Sequence, residues 1–254
     1  MPSTRKLSMA SNPELCSILE WDSAFFGMTI ARVNRNRLDT RTVAQVKDWC
    51  REKQVSCLYF LADSNHVETL RQAEQNGFYL TDIRVTYEHS TSGLEERYTP
   101  DSTVRMAVPQ DLPILRSMTD SAYRDSRFYY DGHFPLEACD RLYEIWIEKS
   151  LSGFAQAVLV MGSPGQPEGF VTCNAGSPET IGKMGLVGVS RNARGRGVGQ
   201  ALVLESLHWF AVQGMKSVEV VTQGRNIPAQ RLYQKCGFLT KEVRFWYHCW
   251  FGEK

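Results

Sequence analysis

A chain of 254 residues, 43% hydrophobic and 22% charged, has the make-up of an ordinary globular protein, which excludes disorder for most of its length. Its 29 Lys and Arg nearly cancel its 28 Asp and Glu. With a formal charge of +1 it has no broad field to gather nucleic acid or an anionic membrane, so any anion must be bound locally.

In chain order, residues 1–17 mix Pro2, Arg5, Lys6, Asn12, Pro13 and Glu14 with no apolar stretch, which reads as a disordered leader rather than a secretory signal. Alternating patterns predict strands over 17–20, 29–34, 56–62 and 79–88, with helices over 42–53 and 67–76. The polar run 90–100, with Gly93 and Pro100, reads as a linker. The expected organisation is a leader (1–17), a first domain (18–90), a linker (91–101) and a second domain (102–254). In the second domain helices are expected over 109–121 and 136–150, then strands over 155–161, 169–175 and 181–189. A helix over 198–213 carries Val198, Leu202, Leu204, Leu207 and Phe210 at helical spacing; a strand over 217–222, a helix over 229–235 and a strand over 243–250 complete the chain.

The longest apolar runs, 58–62 and 155–161, are strand-length, against about 20 residues for a bilayer span, so no membrane helix is expected. Seven scattered cysteines, odd in number and without a C-x-x-C, suit reduced thiols and a cytoplasmic compartment. None of the five histidines has metal-ligand spacing to another, and no metal is expected. One internal echo stands out. Residues 65–78 (NHVETLRQAEQNGF) resemble 226–238 (NIPAQRLYQKCGF), with one residue of difference in the gap. Duplication is one reading; the other is that both are helix-to-strand junctions where Gly ends a helix and Phe enters the core.

The most informative segment is 185–200, GLVGVSRNARGRGVGQ: an apolar strand, an Arg- and Gly-rich turn, then a strong helix. Unsatisfied amides at a helix start and the positive dipole end favour phosphate, and glycines let it approach. Neither the Walker A nor the Rossmann spacing is present. The loop 125–135, with Arg127, Phe128, Tyr129, Tyr130 and His133, is unusually aromatic for a connection. It reads either as a ligand clamp or as aromatics burying a long loop.

Arg194-x-x-Gly197-x-Gly199 after a strand resembles the acetyl-CoA loop of the GCN5-related N-acetyltransferase superfamily, and Asn226-x-x-Ala229-x-x-Leu232-Tyr233-x-x-x-Gly237-Phe238 is similar to its second motif. The resemblance implies an α/β fold, a mixed central sheet flanked by helices, preceded here by a smaller, truncated domain of the same kind. It implies acetyl-CoA as cosubstrate, with pantetheine on the main chain of Leu186, Val187 and Val189. Pyrophosphate would lie at Arg194, Gly195, Arg196, Gly197, Val198, Gly199 and Gln200. Tyr233 would be the general acid, and Asn226 would cap its helix and position the cofactor.

The order of Trp21-x-x-x-Phe25-Phe26-Gly27, Gly77-Phe78, Ser126-Arg127-Phe128, Phe134, Trp146-Ile147-Glu148 and Thr222-Gln223 resembles the nucleotide-aminosugar N-acetyltransferases of the dTDP-fucosamine type. That implies an acceptor amine on a dTDP-4-amino-4,6-dideoxyhexose, used in surface-polysaccharide synthesis, in a cleft between the two domains. Arg127, Phe128 and Tyr130 would hold it. A carboxylate on the strand after Gly77-Phe78 would be the base; Asp82 stands there where the family has glutamate. The first domain has Ala73 four residues before Gly77 and no R-x-x-G-x-G, so it should bind no second cofactor. A homodimer is the family-based expectation; nucleic acid and membrane are not expected partners. Acetylation of a protein N-terminus or lysine, and a non-catalytic acyl-CoA sensor, stand as the competing readings.

Overall fold

The structure, a computed structural model, describes residues 14–119, 122–176 and 180–252. It divides into two compact units, Met1–Leu80 with Tyr247–Lys254, and Thr81–Trp246.

The first unit holds β1 (Cys16–Ile18), α1 (Glu20–Phe26), β2 (Ile30–Val33), α2 (Thr40–Glu52), β3 (Cys57–Asp63) and α3 (Val67–Gln75). β1 pairs antiparallel with β2, and β2 parallel with β3. Val43, Val46 and Cys50, one stripe of α2, are buried with Ile30, Leu58 and Phe60. Most of the expected leader lies outside the described residues, but Cys16 and Ser17 are already strand. The expected strand over 17–20 is cut short by α1. There Trp21 stacks on Phe25 one turn on, with centroids 5.1 Å apart, and Gly27 ends the helix in a left-handed conformation.

In the second unit come most of β4 (Tyr79–Ser90), then α4 (Leu94–Arg97), β5 (Val104–Met106), α5 (Leu112–Thr119), α6 (Arg127–Asp131) and α7 (Leu136–Lys149). β6 (Ala157–Ser163), β7 (Gln166–Asn174), β8 (Ile181–Val189), α8 (Val198–Val212), β9 (Ser217–Gln223), α9 (Ile227–Lys235) and β10 (Leu239–Trp250) follow. Its strands run in the order β10-β4-β9-β8-β7-β6-β5, mixed because β8 and β9 are parallel while the β4–β9, β7–β8, β6–β7 and β5–β6 pairs are antiparallel. Helices lie on both faces. Val198, Leu202, Leu207 and Phe210 of α8 share a core with Met184, Val218 and Val220. Leu115 of α5 and Ile147 of α7 share another with Val158, Val160 and Phe170.

The segment expected as a linker, 91–101, is built into this second unit instead. The Thr91 amide donates to the Lys216 carbonyl (3.2 Å), Leu94 packs on the core, and the Asp101 amide donates to Glu205 (2.9 Å). Its polar composition hides these anchors, since two of the three are made by main-chain amides. The unit boundary accordingly falls before Thr81 rather than at 90.

The echo is sharper than the sequence suggests. β3, α3 and β4 have 7, 9 and 12 residues, and so do β9, α9 and β10. Cys57 corresponds to Ser217, Val67 to Ile227 and Tyr79 to Leu239, each pair 160 positions apart, with no gap. The residue equivalent to Asn226 is therefore His66, not Asn65. Each caps its helix, His66 accepting from the Thr69 amide (3.2 Å) and Asn226 from the Ala229 amide (3.1 Å).

One ion pair anchors the start of the second unit. Asp111, its side chain fully covered, accepts two bonds from Arg105 (2.8 and 2.9 Å) and one each from the Val108 (2.9 Å) and Gly165 (2.8 Å) amides. The Arg105 guanidinium, with the two amides, holds its carboxyl down at about 2. A depressed pKa contributes stability that is complete above the ordinary carboxylate range and is lost as pH falls toward the folded value. Asp111→Ala should therefore cost about 3 kcal/mol in urea denaturation at neutral pH. The gap between parent and variant should narrow from about pH 5 to about pH 3. A gap that stays constant with pH would assign the loss to packing instead.

Candidate active site

β8 starts as an ordinary neighbour of β9. Their parallel register runs from Ile181↔Ser217 to Met184↔Val220 and stops, although β8 continues to Val189 and β9 to Gln223. On its other side β8 carries a bulge. Val171 pairs with Val187 but Cys173 with Met184, so Thr172 faces both Gly185 and Leu186. The Thr172 hydroxyl accepts from the Leu186 amide (2.8 Å), and a Cβ on Gly185 would lie 2.6 Å from that oxygen. The bulge thus turns residues 185–189 away from β9 and leaves backbone of β8 without a β9 partner. Of the three main-chain sites expected there, the Leu186 amide is taken by Thr172, and the Val187 carbonyl accepts from the Tyr123 hydroxyl (3.2 Å).

At the end of β8 the chain turns through a short 3-10 segment, Arg191–Ala193, into α8. Gly197 sits at φ +90°, the left-handed region open to glycine, and α8 has no side-chain cap. The first turn's own bond runs from the Ala201 amide to the Gly197 carbonyl (3.0 Å), so the amides of Val198, Gly199 and Gln200 lie ahead of the helical ladder. An added Cβ at Gly195 or Gly197 meets nothing within 4 Å, leaving room for a ligand. Gly199 has another reason to be glycine: its Cβ would lie 3.3 Å from Leu232 of α9. Arg194 donates to the Val189 carbonyl (3.4 Å), and Arg196 pairs with Glu168 (3.0 Å). The Val198 side chain is buried in the core, so only its main chain faces the loop.

Asn226 starts α9, and about two turns later Tyr233 is 4% exposed, its ring 5.9 Å from those of Tyr87 and Phe238. Burial pushes its phenol above the ordinary value, so it is protonated at neutral pH. Tyr123 stacks on Tyr143 with centroids 4.3 Å apart, and its phenol too is raised by burial and then by Tyr233. Sequence reasoning passed over Tyr123, which carries no motif; only its donation to Val187 marks it.

Asp82 lies near the start of β4, 4% exposed, within the second unit rather than the first. One oxygen accepts from the Ile83 amide (2.8 Å) and faces Arg225 Nη1 at 3.3 Å. Burial raises its carboxyl to about 6, against the opposing pull of Arg225, the Ile83 amide and Arg127. It is therefore mostly ionised at neutral pH and can take up a proton. Arg225 was not foreseen, although it immediately precedes Asn226. It also donates to the Asp125 (3.0 Å) and Thr81 (2.9 Å) carbonyls and lies over the Tyr130 ring at 3.6 Å. Gly224 makes the placement feasible, because its amide donates to the Ile83 carbonyl (2.6 Å) where a Cβ would meet Ile83 at 2.8 Å.

The aromatic loop divides in two. Residues 127–131 form α6 rather than a loop. Phe128 is 5% exposed against Phe134 and supports Arg127 on its face (4.2 Å), so it offers no open stacking surface, whereas Tyr130 is 58% exposed. Arg127 also lies over Trp246 at 4.5 Å. Among the described residues no group of three or more His, Cys, Asp or Glu could hold a metal, and no helix is long and apolar enough to cross a membrane.

Comparison with known proteins follows the same lines. The chain is 28% identical to the dTDP-fucosamine acetyltransferase of Escherichia coli O6:H1, over 90% of this chain and 95% of that one. It is 24% identical to the spore coat polysaccharide biosynthesis protein SpsD of Bacillus subtilis, over 58% of this chain and 50% of the other. A GCN5-related N-acetyltransferase from Sphaerobacter thermophilus shares the fold with a TM-score of 0.64 and 17% identity, covering 92% of this chain and 75% of its own. Residues 116–238, which include the diverging β8, the loop before α8 and Tyr233, match the sequence model of the acetyltransferase (GNAT) family. Residues 116–238 thus carry a segment of the acetyltransferase (GNAT) family, which makes the chain an acyltransferase, and acetyl-CoA is the cosubstrate that family generally uses.

Proposed function

We propose that this enzyme moves acetyl from acetyl-CoA to the amine of a nucleotide-linked aminodeoxysugar of the dTDP-4-amino-4,6-dideoxyhexose type, for surface-polysaccharide or glycan synthesis. The observation that carries it is the buried carboxylate Asp82, raised to about 6 and set among arginines and an exposed tyrosine in the unit that also holds Tyr233. Likeness along nearly the whole length to a dTDP-fucosamine acetyltransferase supports the acceptor class.

The residues around the loop fit the cosubstrate. The β8 backbone at Val187 and Val189, which has no partner on β9, suits an extended pantetheine chain laid like an added strand. The leading amides of α8 suit pyrophosphate, with Arg194 and Arg196 supplying charge at the loop. Acetyl-CoA brings a thioester whose carbonyl carbon accepts the amine nitrogen as the C–S bond breaks. Asp82 takes the amine's proton, directly or through water, because an ammonium has no lone pair to attack with. Tyr233 gives its proton to the departing sulfur. Asn226 holds the start of α9 so that Tyr233 is fixed. The unit made of Met1–Leu80 and Tyr247–Lys254 is read as a truncated acetyltransferase-like domain without a second cofactor site, since Ala73 stands where the other copy has Tyr233. The described cysteines are all free thiols, which suits the cytoplasmic setting we assign.

The reading is tested by thiol release from acetyl-CoA with dTDP-4-amino-4,6-dideoxygalactose, other nucleotide-aminosugars and N-terminal peptides. Sugar-dependent release is expected; release with peptides alone would replace the acceptor, and none with any amine would favour an acyl-CoA sensor. Tyr233→Phe should keep coenzyme A binding while kcat falls by about 10²-fold or more. Turnover equal to the parent's would remove Tyr233 from the mechanism.

The pH profile tests the base. Below about 6 Asp82 is protonated and cannot accept, so kcat/KM should fall on the acid side with a midpoint near that value. Asp82→Asn should lose about 10²-fold in kcat/KM together with this limb. Arg225→Met removes a charge that favours the carboxylate, so the limb should move to higher pH. A limb unmoved by either change would assign the titration elsewhere.

A further inference from the structure

Beyond Asp82, the same side of β4 presents Arg84 and Thr86, because strand side chains alternate. On β10, the neighbour of β4, Glu242, Arg244 and Trp246 share one side by the same rule. The two rows meet. Arg84 is half-buried, and its guanidinium is destabilised first by burial and then by the nearby charge of Arg244, with Glu242 and Glu219 acting the other way. Both of those carboxylates already serve other cations: Glu242 accepts from Arg244 (2.6 Å), and Glu219 from Lys241 (2.7 Å), which also reaches Glu88 (2.8 Å). Among the described residues Arg84 has no hydrogen-bonded or ion-paired partner of its own. At the Asp82 end of this face stand two more guanidiniums, Arg225 on Asp82 and Arg127 over Trp246.

Two neighbouring guanidiniums partly withdrawn from water, one without a carboxylate, are costly unless an anion completes them. A planar guanidinium binds phosphate oxygens in pairs. Arg84 is two residues from Asp82, about 7 Å along an extended strand, on the order of the width of one hexose ring. We infer that Arg84 and Arg244 form the anion subsite of the acceptor, binding the diphosphate of a nucleotide-sugar whose amine is presented to Asp82. This rests on the acceptor class proposed above and adds which residues recognise its charged part. Selectivity then comes from the spacing along β4: the carboxylate takes the amine and the arginine pair takes the phosphate.

The test is made on the full-length protein with Arg84→Met, Arg244→Met and Arg84→Lys, each first shown by circular dichroism and thermal melting to fold like the parent. The readout is the ratio of kcat/KM for a dTDP-linked 4-aminosugar to that for the matching methyl glycoside, which has the amine but no diphosphate. Arg84→Met and Arg244→Met should lower this ratio at least tenfold, through KM for the sugar rather than KM for acetyl-CoA, and Arg84→Lys should recover part of it. A ratio equal to the parent's, or equal losses on both acceptors, overturns the assignment. A second arm does not depend on turnover. dTDP is titrated calorimetrically into protein saturated with coenzyme A, so that the loop before α8 is filled. Binding that weakens tenfold or more in Arg84→Met supports the subsite even if another amine proves to be the acceptor, whereas binding of equal strength in parent and variant overturns it.

Discussion

The chemistry proposed for this enzyme depends on one irregularity in a sheet. If β8 stayed paired with β9 beyond Met184 and Val220, its backbone would be consumed by the ladder and no edge would be left for a ligand. The bulge opposite Thr172 prevents this. It inserts one residue, gives the Leu186 amide a side-chain acceptor in place of a main-chain one, and turns the rest of the strand outward. A buried unpaired amide costs about 1–3 kcal/mol, so the Thr172 hydroxyl is what makes the divergence affordable. The glycine at 185 follows from the same contact, since any side chain there would strike that oxygen.

Divergence alone gives a binding edge; acid–base work needs groups held in opposite protonation states. Burial supplies both from one cause. It raises the Tyr233 phenol, which keeps its proton at neutral pH, as the acid role proposed for it requires. It also raises the Asp82 carboxyl, and here Arg225 limits the effect so that the group stays ionised near neutrality. The guanidinium itself is held by the Asp125 and Thr81 carbonyls and the Tyr130 ring. It therefore ties the entrance of β4 to the segment leading into α6. A lysine, with a compact charge and no planar face, could not make this set of contacts.

Much of this was legible in the sequence where the signal is local. The Gly-rich turn with its arginines announces a helix entrance, and Asn226 announces a cap, because both act within a few residues. The hydrophobic run of α8 and the β-branched run of β9 were equally plain. What was hidden is what acts at a distance or through main chain. Arg225 reaches Asp82 from 143 positions along the chain, with nothing in either segment to name the other. The stretch 91–101 reads as a linker because, apart from Leu94, its anchors are backbone amides. Phe128 reads as a stacking surface from composition, but composition cannot tell a ring that supports an arginine from one that faces a ligand.

If the matched elements β3-α3-β4 and β9-α9-β10 arose by duplication, they show how a duplicated unit becomes asymmetric. The strand that ends the first copy, from Thr81 onward, belongs to the second compact unit, and the last residues of the second copy, from Tyr247 onward, belong to the first. The second unit therefore draws its carboxylate, Asp82, from one copy and its phenol, Tyr233, from the other. The positions equivalent to these carry Glu242, bonded to Arg244, and Ala73, without a hydroxyl. Each matched set of elements thus keeps one half of the proposed acid–base pair. On the proposed mechanism neither could lose its contribution without disabling the site, while the equivalent positions were free to change, Ala73 into core packing and Glu242 into a partner for Arg244.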